Sequence, residues 1–233
     1  MLNDLKKELR ASEDRNKAVV LKKFFKTAPG QYGEGDIFLG INVPKIRQIA
    51  KKYLDLNFNE IEQLLSSRFN EHRLIALIIL ITLFKKGGQK ERGKIYHFYI
   101  NHIENINNWN LVDTSAPVIV GQWLLQHPKD ILYKFARSKK LWQKRIAIIA
   151  TLGFIRAGEF EDTFKISEIL LQDKHDLIHK AVGWMLREVG KKNEPLEKRF
   201  LDEHCKKMPR TMLRYAIERF NKKDYQYYLL CSK

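Results

Sequence analysis

The stretch Arg73-Leu-Ile-Ala-Leu-Ile-Ile-Leu-Ile-Thr-Leu-Phe84 contains the longest apolar run of this chain. Counting Thr82, residues 74–84 form an apolar run of eleven residues, whereas a membrane-spanning helix needs about 18. The run therefore predicts a helix that is buried inside the protein. It opens with a basic residue, Arg73, and a small residue, Ala76, follows three places later.

This opening recurs along the chain. Five segments begin their apolar stretch with a basic residue that is followed two or three places later by a small one. They are Arg47 with Ala50, Arg73 with Ala76, Arg145 with Ala147, Lys180 with Gly183, and Arg214 with Ala216. When the sixth segment described next, which starts at Asp113, is counted, consecutive starts are 26, 40, 32, 35 and 34 residues apart. This spacing is typical of stacked helical pairs, one pair for each repeat.

A sixth segment, Asp113 with Ala116, has a carboxylate where the other five have a cation. In stacked pairs, equivalent positions line one surface. The sequence therefore predicts a row of cations with a single carboxylate near its centre, which would form a groove for a polyanion with a reactive centre.

The rest of the chain also favours an all-α fold, because apolar positions recur at helical spacing and no convincing two-residue alternation is found. We expect a solenoid of stacked helical pairs that forms one domain over residues 1–233. Prolines such as Pro117 are expected in first turns and not in helix centres. The expected helices span residues 2–12, 15–26, 43–53, 57–65, 70–86, 89–101, 115–126, 128–137, 141–157, 161–172, 174–190, 195–206 and 209–220.

Composition points to a polyanionic partner. Lys and Arg number 43 against 27 Asp and Glu, which gives a net charge of +16. The alternative is a basic protein without such a partner. Two cysteines, Cys205 and Cys231, have no CxxC spacing, so we expect no disulfide and a reducing, cytoplasmic location. No signal peptide is visible.

We expect no metal and no cofactor. His175 and His179 lie four residues apart, a spacing that zinc can use, but no third ligand is near them in the sequence. The glycine-rich stretch of residues 27–42 follows no predicted strand and has no Walker lysine, so it favours a surface loop over a nucleotide site.

Trp109 and Asp113 are four residues apart, and in a helix they would share a face on which both contact one ligand. The alternative is that Asp113 caps a helix that enters Pro117 while Trp109 belongs to the core. That alternative is weakened because Thr114 and Ser115 are equally good caps closer to the proline.

A second constellation lies on one predicted helix, where Lys180, Trp184 and Arg187 follow each other at intervals of four and three residues. An indole between cations can contact a sugar or base whose phosphates are held by the cations. Cation–π packing on a solvated face is the alternative. Trp142, three residues before Arg145, has the same two interpretations.

Four segments resemble the AlkD family of DNA alkylation repair glycosylases. NWNLVD at residues 108–113, with Gly121 beyond it, resembles the family's active-site segment. LWQKR at residues 141–145 resembles its arginine-bearing helix, and AVGWMLRE at residues 181–188 resembles the helix of its second catalytic tryptophan. FLGI at residues 38–41 is the fourth segment. The similarity runs in order from about residue 15 to about residue 220.

The resemblance implies an α-α superhelix of HEAT-like repeats that binds duplex DNA as a monomer. It also implies a glycosylase that excises N3- and N7-alkylated purines without flipping the base out of the helix. Asp113 would be the catalytic carboxylate, and Trp109 and Trp184 would pack against the deoxyribose of the lesion. Arg145 and Arg187 would hold the DNA backbone.

The remaining DNA-binding residues that we expect are Lys180, Arg73, Arg47, Arg214 and Trp142. The family also has an N-terminal aromatic residue near the lesion, and Phe24, Phe25 and Tyr32 all compete for that position. We expect base removal without strand cleavage, because no lysine is marked as a Schiff-base nucleophile. The chief rival function is a HEAT-like protein that binds DNA or RNA without chemistry, and a protein-interaction scaffold is a third.

Overall fold

The structure is a computed structural model that describes residues 1–231 of the chain. Helices account for the regular structure, and residues 1–231 contain no β-strand beyond an isolated bridge between Ile37 and Phe69. The prediction of an all-α fold of stacked helical pairs is confirmed. None of the helices in the described part of the chain is long and apolar enough to span a membrane.

The chain forms two compact units, Met1–Ser115 and Ala116–Lys233. The prediction of a single domain stays a prediction. The helices that begin in the first unit are α1 (Leu2–Ala11), α2 (Arg15–Phe24), α3 (Val43–Ala50), α4 (Phe58–Leu65), α5 (Asn70–Lys86), α6 (Gln89–Asn101) and α7 (Trp109–Ala116).

The second unit begins with a π-helical turn, Pro117–Gly121, and short 3-10 turns follow some of its helices. Its helices are α8 (Gln122–Leu124), α9 (Asp130–Ala136), α10 (Leu141–Ala157), α11 (Glu161–Leu170), α12 (Asp176–Gly190), α13 (Glu194–His204), α14 (Arg210–Ala216) and α15 (Lys222–Cys231).

Helix α5 is the core of the first unit. Every residue from Asn70 to Ile81 is buried, and α3, α4 and α6 pack around the helix. A helix that is apolar on all sides must be surrounded in this way to remove its surface from water. The buried helix predicted from residues 74–84 is therefore confirmed.

In the second unit, α10 and α12 are the central helices. Helix α10 packs against α9, α11 and α12, and α12 packs against α13 and α14. At Gly183 the backbones of α12 and α14 approach closely, because a Cβ placed there would lie 2.3 Å from the carbonyl oxygen of Met212. Glycine is needed at this position to let the two helices meet.

Most helix boundaries lie within a few residues of the prediction, but three features differ. Helix α7 begins at Trp109, six residues before the expected start at 115. Pro117 lies inside one continuous helical segment and not in a first turn. Because proline has no N–H to donate to the carbonyl of Asp113 four residues earlier, the backbone widens into a π turn. The third difference is α15, which was not predicted.

The prediction that the cysteines stay unpaired is wrong in this structure. Cys205 and Cys231 form a disulfide, with their Cα atoms 5.9 Å apart. Cys231 is the last residue of α15, so the sequence interpretation missed the pairing together with the helix that makes it possible. The bond joins α15 to the end of α13.

Candidate functional site

The amino-terminal end of α7 is held by one buried side chain. Asn108 is fully buried, and its Oδ1 accepts a hydrogen bond of 2.8 Å from the backbone N–H of Trp109. Its Nδ2 donates to Oδ2 of Asp36 at 2.8 Å. Asn108 therefore fixes both the start and the direction of the helix that carries Trp109 and Asp113.

Asp36 is the centre of the network that holds Asn108. Its carboxylate also accepts from Nη2 of Arg73 at 2.5 Å and from Nδ2 of Asn70 at 3.0 Å. Asn70 in turn accepts from Nδ2 of Asn110 at 2.7 Å. A buried charge pair is tolerable only when its remaining donors and acceptors find partners, and this network supplies most of them.

The position of Arg73 corrects one expectation. Its side chain is buried, pairs with Asp36 and donates from Nη1 to the carbonyl of Ser67 at 2.8 Å. In this structure Arg73 therefore belongs to the support of α7 and does not line a surface that a phosphate could reach.

An aromatic stack lies on the other side of α7. The ring of Trp109 stacks on Phe25 with centroids 4.9 Å apart, and Phe25 stacks on Phe38 at 4.8 Å. Phe24 meets Trp109 edge-on at 5.7 Å. Such stacked and edge-to-face arrangements are the favoured geometries of aromatic pairs, so the stack fixes the plane of the indole.

The structure separates the three competing aromatic residues. Phe25 is only 6% exposed because Trp109 and Phe38 cover it, whereas Phe24 is 60% exposed. Tyr32 is half-buried, and its hydroxyl donates to the carbonyl of Phe24 at 3.3 Å. Phe24 and Phe25 both line the cavity described next, and Phe24 is the one whose ring faces solvent.

A cavity of about 480 Å³ opens beside the stack within the first unit. Its mouth is apolar and includes the exposed side chains of Val20, Phe24 and Val43. Trp109 and Asp113 line the cavity on one helix, one turn apart. The shared face predicted for these two residues is therefore present, and Asp113 does not cap a helix, because α7 begins four residues before it.

Ser115, two residues after Asp113, makes its hydrogen bonds to other residues. The hydroxyl of Ser115 donates to the carbonyl of Leu111 at 2.6 Å and lies 3.0 Å from the hydroxyl of Tyr99. Burial raises the pKa of Tyr99, and the charge of Asp113 adds to that effect. Ser115 is thus a buried core residue, not the helix cap that the sequence suggested.

The opposite wall of the cavity is anchored by Glu71. Its carboxylate accepts from the backbone N–H groups of Leu39 and Gly40 at 3.0 and 2.9 Å. Burial raises the pKa of Glu71, and these backbone hydrogen bonds act against that shift. Gly40 has φ +83°, and a Cβ there would lie 2.1 Å from the carbonyl oxygen of Asp14. The segment FLGI therefore requires glycine where it passes α2.

In the second unit, α12 presents the predicted Lys180, Trp184 and Arg187. Trp184 is half-buried, and its indole N–H donates to Oε1 of Glu188 at 3.0 Å. Lys180 pairs with Asp176 at 2.6 Å. Arg187 pairs with Glu218. Trp184 and Lys180 thus have a polar partner on their own helix, and Arg187 has one in the turn that follows α14.

The other predicted contacts differ in accessibility. Arg145 is buried and donates from Nη1 to the carbonyl of Leu177 at 2.5 Å, while Trp142 is half-buried at the start of α10. Arg47 on α3 and Arg214 on α14 are exposed. The basic residues of the repeated opening are therefore not a uniform row of surface cations.

Sequence reasoning missed the residues that support the cavity. Asp36 lies in the glycine-rich stretch interpreted as a surface loop, and its partners Asn70 and Asn108 are 34 and 72 residues away. Periodicity carries no signal for such distant polar pairs. Among residues 1–231, no group of three or more His, Cys, Asp or Glu side chains is placed to hold a metal ion.

Comparisons with known proteins bear on the family and the fold of the chain. A family model described as "DNA alkylation repair enzyme" matches residues 5–220. The chain is 17% identical to the structure "Predicted DNA alkylation repair enzyme from Enterococcus faecalis", with a TM-score of 0.70 over 91% of this chain and 98% of that one. It is 18% identical to smu.31 from Streptococcus mutans UA159, with a TM-score of 0.50 over 94% and 97%. At these identities the two structures show a shared fold alone. No curated protein matches the chain.

Proposed function

The chain belongs to the DNA alkylation repair enzyme family, and from this premise we propose that it is a monofunctional DNA glycosylase. Its substrates are N3- and N7-alkylated purines in duplex DNA, and it hydrolyses their N-glycosidic bond. One observation carries the proposal: Asp113 lies on the wall of an aromatic-lined cavity, one turn from Trp109, on a helix whose start is fixed by buried polar contacts.

A single carboxylate is sufficient for this reaction. Most glycosidases need two carboxyl groups, because the leaving oxygen must be protonated while the other face of the sugar is attacked or stabilised. An N3- or N7-alkylated purine already carries a positive charge, so it departs as a neutral base and needs no general acid. What remains is to stabilise the positive charge that develops on the sugar and to position a water.

Electrostatics gives the scale of the effect. A carboxylate about 4 Å from the developing charge, at an effective dielectric constant near 20, contributes roughly 4 kcal/mol of attraction. At ~1.4 kcal/mol for each factor of ten, this corresponds to about a thousandfold in rate. The apolar walls of the cavity support an attraction of this size, because they limit the water that would screen the charge.

The aromatic residues bind and orient the sugar in this proposal. The plane of Trp109 is fixed by its stack on Phe25, and the exposed ring of Phe24 is available beside it. Flat apolar faces contact a deoxyribose without requiring hydrogen bonds, so they tolerate either purine lesion. The proposal also assigns Trp184 a contact with the sugar, and Arg145 and Arg187 contacts with the DNA backbone, as the resemblance to the AlkD family implies.

The product is an abasic site in an unbroken strand. Strand cleavage by a glycosylase needs an amine nucleophile, and no lysine lines the cavity beside Asp113 except Lys17, which is exposed and pairs with Asp14 at 3.0 Å. In this proposal the base also leaves without being flipped into a pocket, as the resemblance to the AlkD family implies.

The test is release of free base from duplex DNA that contains N7-methylguanine, measured above the spontaneous rate. Asp113→Asn should reduce the catalysed rate by about a thousandfold while binding of undamaged duplex stays within about threefold of wild type. Asp55→Asn, which makes the same change at an exposed residue before α4, is the matched control and should match the wild-type rate.

Two results would contradict the proposal. Equal release by wild type and Asp113→Asn would remove the carboxylate from the mechanism. Tight, salt-sensitive binding of duplex DNA by wild type without any release above background would favour the rival function, a protein that binds DNA without chemistry.

A further inference from the structure

A polar groove on the second unit lies outside the cavity of Asp113. It has a volume of about 580 Å³ and is lined by Thr211, Arg214 and Tyr215 of α14, by Glu218 of the following turn, and by Tyr225 of α15. The first four residues occupy positions i, i+3, i+4 and i+7, so they form one face of a helical segment. The opposite face, including Met212 and Leu213, is buried.

The groove holds one cation that has no acidic partner within residues 1–231. That cation is Arg214, which is exposed and forms no ion pair in the described part of the chain. Thr211 lies one turn before it and contributes a hydroxyl to the same groove. A guanidinium beside a hydroxyl is a donor set that suits a phosphate oxygen, because arginine binds phosphate through two parallel N–H groups.

A second cation, Arg187, is connected to the groove by its ion pair with Glu218. Arg187 of α12 forms an ion pair with Glu218, which is one turn beyond Arg214. The side chain of Glu218 is 59% exposed, whereas that of Arg187 is 17% exposed. Residues four apart on a helix have Cβ atoms about 5–6 Å apart, so an anion in the position of Glu218 would lie within reach of both arginines.

The guanidinium of Arg187 is also incompletely satisfied. Its Nε is buried, and no acceptor for it exists within residues 1–231. A buried donor without a partner has a free-energy cost, so the pair with Glu218 leaves Arg187 incompletely satisfied. The exposed carboxylate of Glu218 is free to swing into solvent, whereas Arg187 is held by the packing of α12 against α14.

We propose that this groove binds a backbone phosphate of duplex DNA between Arg187 and Arg214, and that Glu218 occupies the same position when no DNA is bound. The carboxylate acts as an internal substitute for the phosphate, so it lowers the affinity for DNA and is displaced on binding. The inference rests on the proposed action of this protein on DNA, but it concerns binding and does not depend on excision.

The test is the affinity for a short undamaged duplex, measured by fluorescence anisotropy at about 0.15 M salt, where charges beyond ~8 Å are largely screened. Glu218→Gln should tighten binding about two- to fivefold, because an exposed ion pair that the phosphate must break is worth about that much. Glu161→Gln is the matched control. It removes the same charge from an exposed ion pair with Lys165 and should change affinity less than about 1.5-fold.

Two further variants test why Glu218→Gln should bind duplex DNA more tightly. In an Arg187→Gln background, Glu218→Gln should bring no gain beyond that of Glu161→Gln, because no pair remains to be broken. Arg214→Gln should weaken binding and lower the salt slope, log K against log salt, by about 0.9, as expected when the protein neutralises one phosphate fewer. Arg214 is exposed, so this variant remains informative if Arg187→Gln is unstable.

The outcomes separate this inference from the proposed function. Equal gains in Glu218→Gln and Glu161→Gln, or a gain that persists without Arg187, would overturn the phosphate site while leaving the glycosylase standing. No binding of duplex by wild type would overturn both. Displacement of the duplex by inorganic phosphate well beyond chloride of equal ionic strength would assign the groove to free phosphate and would also refute the inference.

Discussion

Asp36→Asn is the substitution that most directly tests the support of the candidate site. The change is nearly isosteric, but it removes the charge that Arg73 pairs with at 2.5 Å. Both side chains are only 5% exposed. The variant therefore leaves a guanidinium buried with no anionic partner, and it weakens the contact that holds Asn108.

The size of the expected loss in the free energy of unfolding follows from the burial of the pair between Asp36 and Arg73. Breaking a buried ion pair by removing one partner costs about 3–5 kcal/mol, chiefly because the other charge stays buried. That is a large part of the ~5–15 kcal/mol by which a typical domain is stable. Asn70 and Asn108 both donate to Oδ2 of Asp36, whereas Arg73 donates to Oδ1. An amide offers one acceptor oxygen, so it can serve the two asparagines or Arg73, but not all three.

The assay is urea unfolding followed by circular dichroism, with wild type, Asp36→Asn and the double variant Asp36→Asn, Arg73→Met side by side. Removing both charges should recover more than half of the free energy of unfolding that the single variant loses, because an apolar replacement of a buried pair is often neutral. Glu161→Gln, which breaks an exposed pair, should cost less than about 1 kcal/mol.

Two results would contradict the expected loss: a cost of Asp36→Asn below about 1 kcal/mol, or a double variant that is no more stable than the single one. Either result would mean that Arg73 finds water or another partner once Asp36 is neutral. The same samples also report on function. Where the variant remains folded, its excision rate should fall more than its affinity for undamaged duplex, because Asn108 orients the helix of Asp113.

Four more predictions follow from other parts of the structure. Phe24→Ala should lower the excision rate at least about tenfold while changing the free energy of unfolding by less than about 1 kcal/mol, since the ring is exposed. Gly40→Ala should destabilise the protein by about 3 kcal/mol in urea unfolding, because of its positive φ and the contact with Asp14. Reduction of the bond between Cys205 and Cys231, which are 26 residues apart, should cost up to about 3.5 kcal/mol, and Cys231→Ser should be insensitive to the reductant. Burial raises the pKa of Glu197 to about 9, so the folded state keeps a proton that the unfolded state loses above its usual pKa of 4.5. Stability should therefore fall between these values by up to about 1.4 kcal/mol per pH unit, and Glu197→Gln should flatten that dependence in unfolding measured at pH 6, 7 and 8.

The sequence predicts the helices better than it predicts their connections. Residues 70–86, 89–101 and 141–157 begin and end in the structure where the pattern places them. These helices are strongly apolar or sharply bounded, so local signals are sufficient. The start of α7 is different, because its cap Asn108 is buried against Asp36, and an asparagine gives no local sign of a partner 72 residues away.

The residues of the candidate site also divide into those that the sequence predicts and those that it does not. The pair of Trp109 and Asp113 can be found from spacing alone, because four residues make one turn of a helix. The choice among Phe24, Phe25 and Tyr32 cannot, since it depends on which ring Trp109 covers. The disulfide was missed for a similar reason: it requires α15 to bring Cys231 to Cys205, and α15 has one buried residue, Tyr228, and so shows no apolar stripe in the sequence.

The basic–small opening itself explains why the prediction of stacking succeeded and the prediction of a cationic row failed. The small residues of the opening are buried, from Ala50 at 1% exposure to Ala76, Ala147 and Ala216 at 0%, and Gly183 lies where α12 meets α14. Helix packing requires a small side chain at these positions. The small residue therefore correctly predicts which face of each helix packs against its neighbour. The basic residue two or three places earlier lies at the margin of that face. Whether it reaches solvent, as Arg214 does, or is buried against an acid depends on what the connecting segment brings to it, and that is not encoded in the repeat.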